Sequence, residues 1–272
     1  VIPRAHVTAW RRSAPWPTDA QVEQDLVLSR ALVEMFQDQA VSRVAMFRGG
    51  TALHKLFLEK PGRYSEDIDL IQVEPGPIGP LLGAIRAVLD RWLGKPGSKR
   101  GSDRVSLLYR FETTSRPIQP MRLKLEINTR EHVCMMGRSA RRFEVSNPWF
   151  SDSTDVPTFL IEEILATKLR ALYQRKKGRD LYDLWLALSR LKIDDEKVVE
   201  CFVRYMEAAG ARVSRAEFEA NLSEKLESPS FLGDLAPLLP TGVIFDAPTG
   251  GDLLQRRILA RLPGDPWKGR PA

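Results

Sequence analysis

A chain of 272 residues with 43% apolar and 28% charged side chains can pack a sizeable core, in one large domain or two modest ones, which excludes a disordered or low-complexity protein. Two cysteines, Cys134 and Cys201, give no disulfide framework and fit a reducing cytoplasm; His6, His54 and His132 lack the spacing of a zinc site. The net charge of +6 permits a polyanionic partner without demanding one, and no apolar run approaches the ~20 residues of a membrane span.

Residues 1–18, rich in Pro, Arg and Trp, read as an irregular arm with no apolar stretch of the kind a secretory signal needs. Thr18 or Asp19 can cap a helix from about Ala20 to Gln39, with Val22, Leu26, Ala31, Leu32 and Met35 as its apolar stripe. Val44 to Phe47 reads as a buried strand that breaks at Gly49-Gly50, and a helix follows from Thr51. Asp67 to Val73 is the next strand. Side chains alternate along a strand, so Asp67 and Asp69 project from one side while Ile68 and Leu70 point into a core.

Two carboxylates side by side repel each other, and a hard divalent cation relieves the repulsion. Mg²⁺ takes one or two carboxylates together with substrate phosphates. Gly49 and Gly50 let a phosphate approach the backbone, and the helix behind them points its N-terminal amides at that anion. A phosphate cradle beside a metal-binding pair implies phosphoryl or nucleotidyl transfer. Ser65, two residues before Asp67, falls on the metal face, where a phosphate added to it would bring about −1.5 to −2 charge against NTP binding.

Gly76 and Pro77 open a helix that runs to about Leu93, and Gly94 to Asp103 reads as an exposed loop. Val105 to Glu112 and Met121 to Asn128 are strands joined by a proline-containing turn. Glu126 lies on the polar face of the second, either as a surface residue or as a third carboxylate of the metal site. Arg141 to Val145 forms a short strand, and Asn147 to Pro157 reads as a linker that divides the chain into 1–150 and 151–272.

Thr158 then starts a helix to about Arg175 that carries Lys168 within its apolar stripe. The next helix, Asp180 to Leu191, holds Asp180 and Asp183 on one face, and Asp180 also suits its N-cap. Amphipathic helices over Val198–Ala208, Arg215–Leu226 and Asp252–Leu262 precede a Pro/Gly tail that reads as disordered. Basic residues gather in Lys95–Arg104, Arg138–Arg142 and Lys168–Arg179, either as solvated faces or as contacts for RNA phosphates.

Gly49-Gly50-Thr51-Ala52-Leu53, Arg63-Tyr64-Ser65-Glu66-Asp67-Ile68-Asp69-Leu70, Lys168 to Leu172, and Arg175 through Arg179-Asp180-Leu181-Tyr182-Asp183-Leu184 together resemble the AbiEii-type nucleotidyltransferase toxins. These belong to type IV toxin–antitoxin and phage-defence systems and include the mycobacterial MenT group. The resemblance implies an α+β (α/β) fold with a DNA-polymerase-β-like nucleotidyltransferase core and a helical C-terminal part contributing Lys168 and Asp180. It implies a phosphate loop of Gly49, Gly50 and Thr51, Mg²⁺ held by Asp67 and Asp69, and Lys168 on the triphosphate of an NTP. Asp180 would belong to the later acidic motif with Asp183 beside it, and Glu126 to the third acidic position. The activity implied is transfer of a nucleotide from an NTP to an RNA 3′ end, typically the tRNA acceptor stem, with a cognate antitoxin as partner. Modification of a protein hydroxyl, phosphorylation of a target, a small-molecule nucleotidyltransferase and a catalytically silent binding module remain the alternatives.

Overall fold

Alternation of apolar and polar residues, read strand by strand, sets up the central layer of the first half of the chain. In a computed structural model describing residues 2–114 and 116–269, the chain divides into two compact units, Val1–Phe159 and Leu160–Ala272. Val1 of the arm and residues 270–272 of the C-terminal tail lie outside the described residues.

The first unit begins with α1 (Arg4–Trp10) and α2 (Asp19–Gln37). A capping box opens α2: the Thr18 hydroxyl accepts from the Gln21 amide, and the Gln21 side chain accepts from the Thr18 amide. The arm is therefore not irregular throughout. Trp10 and Trp16 are buried, and their apolar bulk holds α1 against α2. There follow α3 (Gln39–Ser42), β1 (Ala45–Arg48), α4 (Gly49–Leu56), β2 (Asp67–Gln72) and α5 (Gly79–Leu93). The remaining strands of this unit are β3 (Gly97–Arg100), β4 (Arg104–Glu112), β5 (Pro120–Asn128), β6 (Arg138–Asn147) and β7 (Phe150–Phe159).

All seven strands form one mixed sheet in the order β3-β4-β5-β2-β1-β7-β6, with β2–β5 and β1–β7 parallel and the other neighbours antiparallel. Val105, Leu107 and Tyr109 of β4, Leu123, Leu125 and Ile127 of β5, and Ile68 and Leu70 of β2 are buried on one side. Lys124, Glu126, Asp67 and Asp69 alternate with them and are half-buried.

Three expectations fail here, each because a strand lies where none was read. Gly94–Asp103 contains β3, an edge strand with every residue exposed, whose Lys99 and Arg100 suit an edge that must not pair with another chain. Asn147–Pro157 is no linker, because β7 pairs with β6 along its whole length. Thr158 does not start a helix either. It is buried near the end of β7 and donates from Oγ1 to the Phe47 carbonyl at 2.7 Å. Small polar residues and Pro157 hide the period-two pattern of Thr154, Val156 and Thr158. Because β7 meets β1 at the single register pair Phe47–Thr158, the strand tolerates a residue without an amide hydrogen.

The second unit is helical: α6 (Ile161–Gln174), α7 (Gly178–Arg190), α8 (Asp195–Ala208), α9 (Arg215–Leu226), α10 (Pro229–Gly233) and α11 (Ala247–Arg257). Asp194 caps α8, Ser214 and Glu217 form a capping box on α9, and Asp246 caps α11. The fold is thus the mixed α/β core in a DNA-polymerase-β-like arrangement with a C-terminal helical extension, as expected. Among the described residues no helix is long and apolar enough to cross a membrane.

Candidate active site

In the first unit β1 ends at Arg48, and the chain turns through Gly49, whose φ of +83° is the left-handed region. A side chain there would also meet Asp69: a Cβ on Gly49 would stand 2.5 Å from Asp69 Oδ2. The glycine turn and the acid strand are therefore fitted to each other by close approach as well as by backbone freedom. Gly50 and Thr51 continue into α4 and are buried.

Thr51 Oγ1 donates to the carbonyl of Asp67 at 2.6 Å and lies 2.7 Å from Ser65 Oγ, tying the first turn of α4 to the start of β2. The structure thus brings Gly49, Gly50, Thr51, Ser65, Asp67 and Asp69 into one neighbourhood.

On β5, Lys124 is the register partner of Asp67, and Glu126 that of Asp69. Glu126 is ion-paired on both of its oxygens. Its Oε1 accepts from Arg104 Nη1 at 2.8 Å, and its Oε2 lies 2.5 Å from Lys124 Nζ. Burial pushes the Glu126 carboxyl up, but Lys124 and Arg104 outweigh it and hold the group below its ordinary value. Asp67 is different: burial, and then the charge of Asp69, raise it from 3.8 to about 6 in spite of Lys124.

Among the described residues no group of three or more His, Cys, Asp or Glu side chains could hold a metal ion. The fit to Mg²⁺ is that of a pair. Two half-buried carboxylates on one side of β2, one of them held above its usual range, match an ion that completes its shell with substrate oxygens and water.

In the second unit Lys168 and the two aspartates come together. Lys168 Nζ lies 3.2 Å from Asp180 Oδ1 and 2.8 Å from Asp183 Oδ2, with both aspartates fully buried. Arg175 grips Asp180 with both arms of its guanidinium, Nε to Oδ2 at 2.7 Å and Nη2 to Oδ1 at 2.8 Å. Burial pushes Asp180 up, but Lys168 and Arg175 together hold it below the usual carboxylate range. Asp180 is not the N-cap: Lys177 occupies that position and Asp180 falls in the first turn of α7. Gly178 is required there, because a Cβ would stand 2.2 Å from the Phe231 carbonyl oxygen.

The basic clusters Lys95–Arg104 and Arg138–Arg142 lie on β3–β4 and on β6, at opposite edges of the sheet. Six strand spacings, about 29 Å, separate those edges, so they make no continuous patch across it. The residues missed from sequence are Lys124 and Arg104, which set the charge around Glu126. The signal was present in the alternation Arg122-Lys124-Glu126, which puts both charges on one face, but the Arg104 partner needs the β4–β5 register.

A sequence model of the family described as nucleotidyl transferase AbiEii toxin, type IV toxin–antitoxin system, matches residues 30–247. No curated protein sequence matches the chain. Among solved structures, the nucleotidyltransferase toxin MenT4 from Mycobacterium tuberculosis superposes with a TM-score of 0.70 at 21% identity, covering 97% of this chain and 91% of the other. A Helicobacter pylori protein assigned as a nucleotidyltransferase gives a TM-score of 0.54 at 20% identity, over 88% and 93% of the two chains. JHP933, also from Helicobacter pylori, gives 0.51 at 20% identity, over 88% and 90%. At such identities the likeness is one of fold, whereas the family match spans most of the sequence, including both the glycine turn with its acid pair and the Lys168–Asp183 block. The chain belongs to the AbiEii family of nucleotidyltransferase toxins of type IV toxin–antitoxin systems.

Proposed function

We propose that this nucleotidyltransferase is Mg²⁺-dependent and moves a nucleoside monophosphate from an NTP onto an RNA 3′ end, with the tRNA acceptor stem as the favoured target. Translation then stops for want of usable acceptor ends, and a cognate antitoxin relieves the block. The observation that carries this reading is the pairing of Gly49 with Asp69. A left-handed glycine turn at the head of a helix is pressed against an acid strand whose first carboxyl is held up at about 6.

Asp67 and Asp69 would hold the Mg²⁺. When bound, the ion neutralises charge on the phosphate oxygens and offsets the repulsion between the two carboxylates. The chain's own groups do the rest. The amides from Gly49 to Thr51 face the phosphates at the start of α4, where the helix dipole favours negative charge. Thr51 bonds both the Ser65 hydroxyl and the Asp67 carbonyl, which keeps that turn and the acid strand in register. In the second unit Lys168 is fixed by Asp180 and Asp183, which leave one of its three N–H donors for a phosphate oxygen. The attacking group is the RNA 3′-hydroxyl; its oxygen forms the new bond to the α-phosphorus as the bond to pyrophosphate breaks, and its proton passes to water.

Incubation of the protein with tRNA, Mg²⁺ and each of the four labelled NTPs tests the reading. The expected outcome is label on the 3′ end of RNA with at least one NTP, lost on chelation. Label on protein instead would move the acceptor to a protein hydroxyl, and no label with any of the four would reject the reading.

A further inference from the structure

The helix behind the glycine turn is fastened at its far end to a buried carboxylate that has no part in the site described above. Asp25, on α2, is 1% exposed. Its Oδ1 accepts from Trp10 Nε1 at 2.8 Å and from Lys55 Nζ at 2.6 Å, and its Oδ2 accepts from Trp16 Nε1 at 3.1 Å. Lys55, in the last turn of α4, also donates to Ser29 Oγ at 3.0 Å. The ring of Trp16 meets that of Tyr64 edge-on at 5.9 Å, and Tyr64 precedes Ser65, whose hydroxyl bonds Thr51. One buried carboxylate thus joins the N-terminal arm, α2 and α4, and the arm in turn touches the segment leading into the acid strand.

An eight-residue helix with two glycines in its first turn has almost no stability of its own. Its direction is set by what holds its ends. At the N-terminal end Gly49 abuts Asp69 and Thr51 bonds the Asp67 carbonyl. At the C-terminal end Lys55 is anchored on Asp25, and the neighbouring His54 Nδ1 accepts from the Gly62 amide at 3.1 Å. A buried ion pair is seldom more stabilising than an apolar contact of the same volume, but it fixes direction, because each charge must meet its partner with good geometry.

We propose that Asp25 and Lys55 are positioning residues. Through them, and through the indoles of Trp10 and Trp16, the N-terminal arm sets the orientation of α4 and of the Tyr64–Ser65 segment, and with it the aim of the Gly49–Thr51 amides at the nucleotide's phosphates. The inference rests on the reading of that turn as the phosphate site. It adds a part of the chain outside the family match, since residues 2–18 precede residue 30.

Amide hydrogen exchange on the full chain, with nucleotide-transfer kinetics, tests it. Asp25→Asn should speed exchange in residues 49–56 and 62–66 at least tenfold, with β4 and β5 unchanged. The Asp25→Asn/Lys55→Met pair strands no charge and should recover most of the thermal stability that Asp25→Asn loses. It should still exchange fast at 49–56 and show at least a tenfold higher KM for NTP, with kcat within threefold of the parent. Exchange that rises no more in 49–56 than in β4 and β5 overturns the proposal, as does a double variant that regains stability and KM together. A parent protein that transfers nothing from any of the four NTPs would sink the phosphate-site reading, while the exchange pattern would still decide whether the arm governs α4.

Discussion

The acid pair on β2 and the ion cluster on α6 and α7 use the same side chains in opposite electrostatic states. In the first unit, Asp67 is pushed up to about 6 by burial and by Asp69, and Lys124, which opposes that shift, is paired with Glu126. In the second, Asp180 is fully buried yet held below its usual range, because Lys168 and Arg175 outweigh the effect of burial. In the first, the fold penalises the ionised form of Asp67, a penalty that an ion and its phosphates can relieve. The second is closed on itself and holds Lys168 still. A polar cluster with its charge unsettled marks where a ligand belongs, and a settled one marks what keeps a residue in place.

The largest effect should come from the unsettled side. Asp69→Ala should cut nucleotide transfer by about 10²–10³-fold or more, with thermal unfolding within a few degrees of the parent, as measured by labelled-NTP turnover and calorimetry. A variant that kept its activity would remove Asp69 from the chemistry. On the settled side the expected loss is of stability. Asp180→Asn leaves Lys168 and Arg175 short of an anion and should cost about 3–5 kcal/mol in urea unfolding. An equally stable Asp180→Asn protein would show that the cluster's charges are not coupled as their distances suggest.

Asp67→Asn sharpens the contrast because its sign is reversed. A carboxyl held above its ordinary range means that the ionised form is penalised in the fold, so a neutral isostere should stabilise the metal-free protein. After discounting for solvent around a half-buried group, about 1–2 kcal/mol is expected. Urea unfolding in the presence of a chelator measures it, and a loss of stability would break the comparison.

Much of this was legible in the residues themselves. The Gly49-Gly50 break, the one-sided Asp67 and Asp69, and Lys168 in an apolar stripe all follow from periods of 2 and 3.6. The fate of Glu126 was not legible, because its partner Arg104 lies 22 residues away and is brought up only by the β4–β5 register. β7 was hidden for a different reason: Thr and Val at alternate positions among Ser and Asp look like a polar linker until a neighbouring strand supplies the pairing. The arm's role was equally invisible, since nothing local shows that the Trp10 and Trp16 indoles both donate to Asp25.

The smallest expected effect lies in the second unit, at a group that is not settled. Lys225 on α9 donates to the carbonyls of Leu172 and Tyr173 at the end of α6 and to Asn221 Oδ1 at 2.6 Å. Burial lowers its ammonium to about 8, although the fields of Asp180 and Glu224 work the other way. The unfolded chain keeps that proton until about pH 10.4. Between about 8 and 10.4 the unfolded state therefore holds more protons than the folded one, and this group's contribution to stability rises with pH. Its charge on α6's last carbonyls weakens over the same range, so a net gain of only about 1 kcal/mol is expected. Unfolding free energies at pH 7.5 and pH 10 for the parent and for Lys225→Met isolate the effect. The gain should vanish in the variant, and a parent curve that fell relative to the variant's would mean that the Lys225 ammonium is stabilised in the fold, extending the balanced cluster of α6 and α7 to include it.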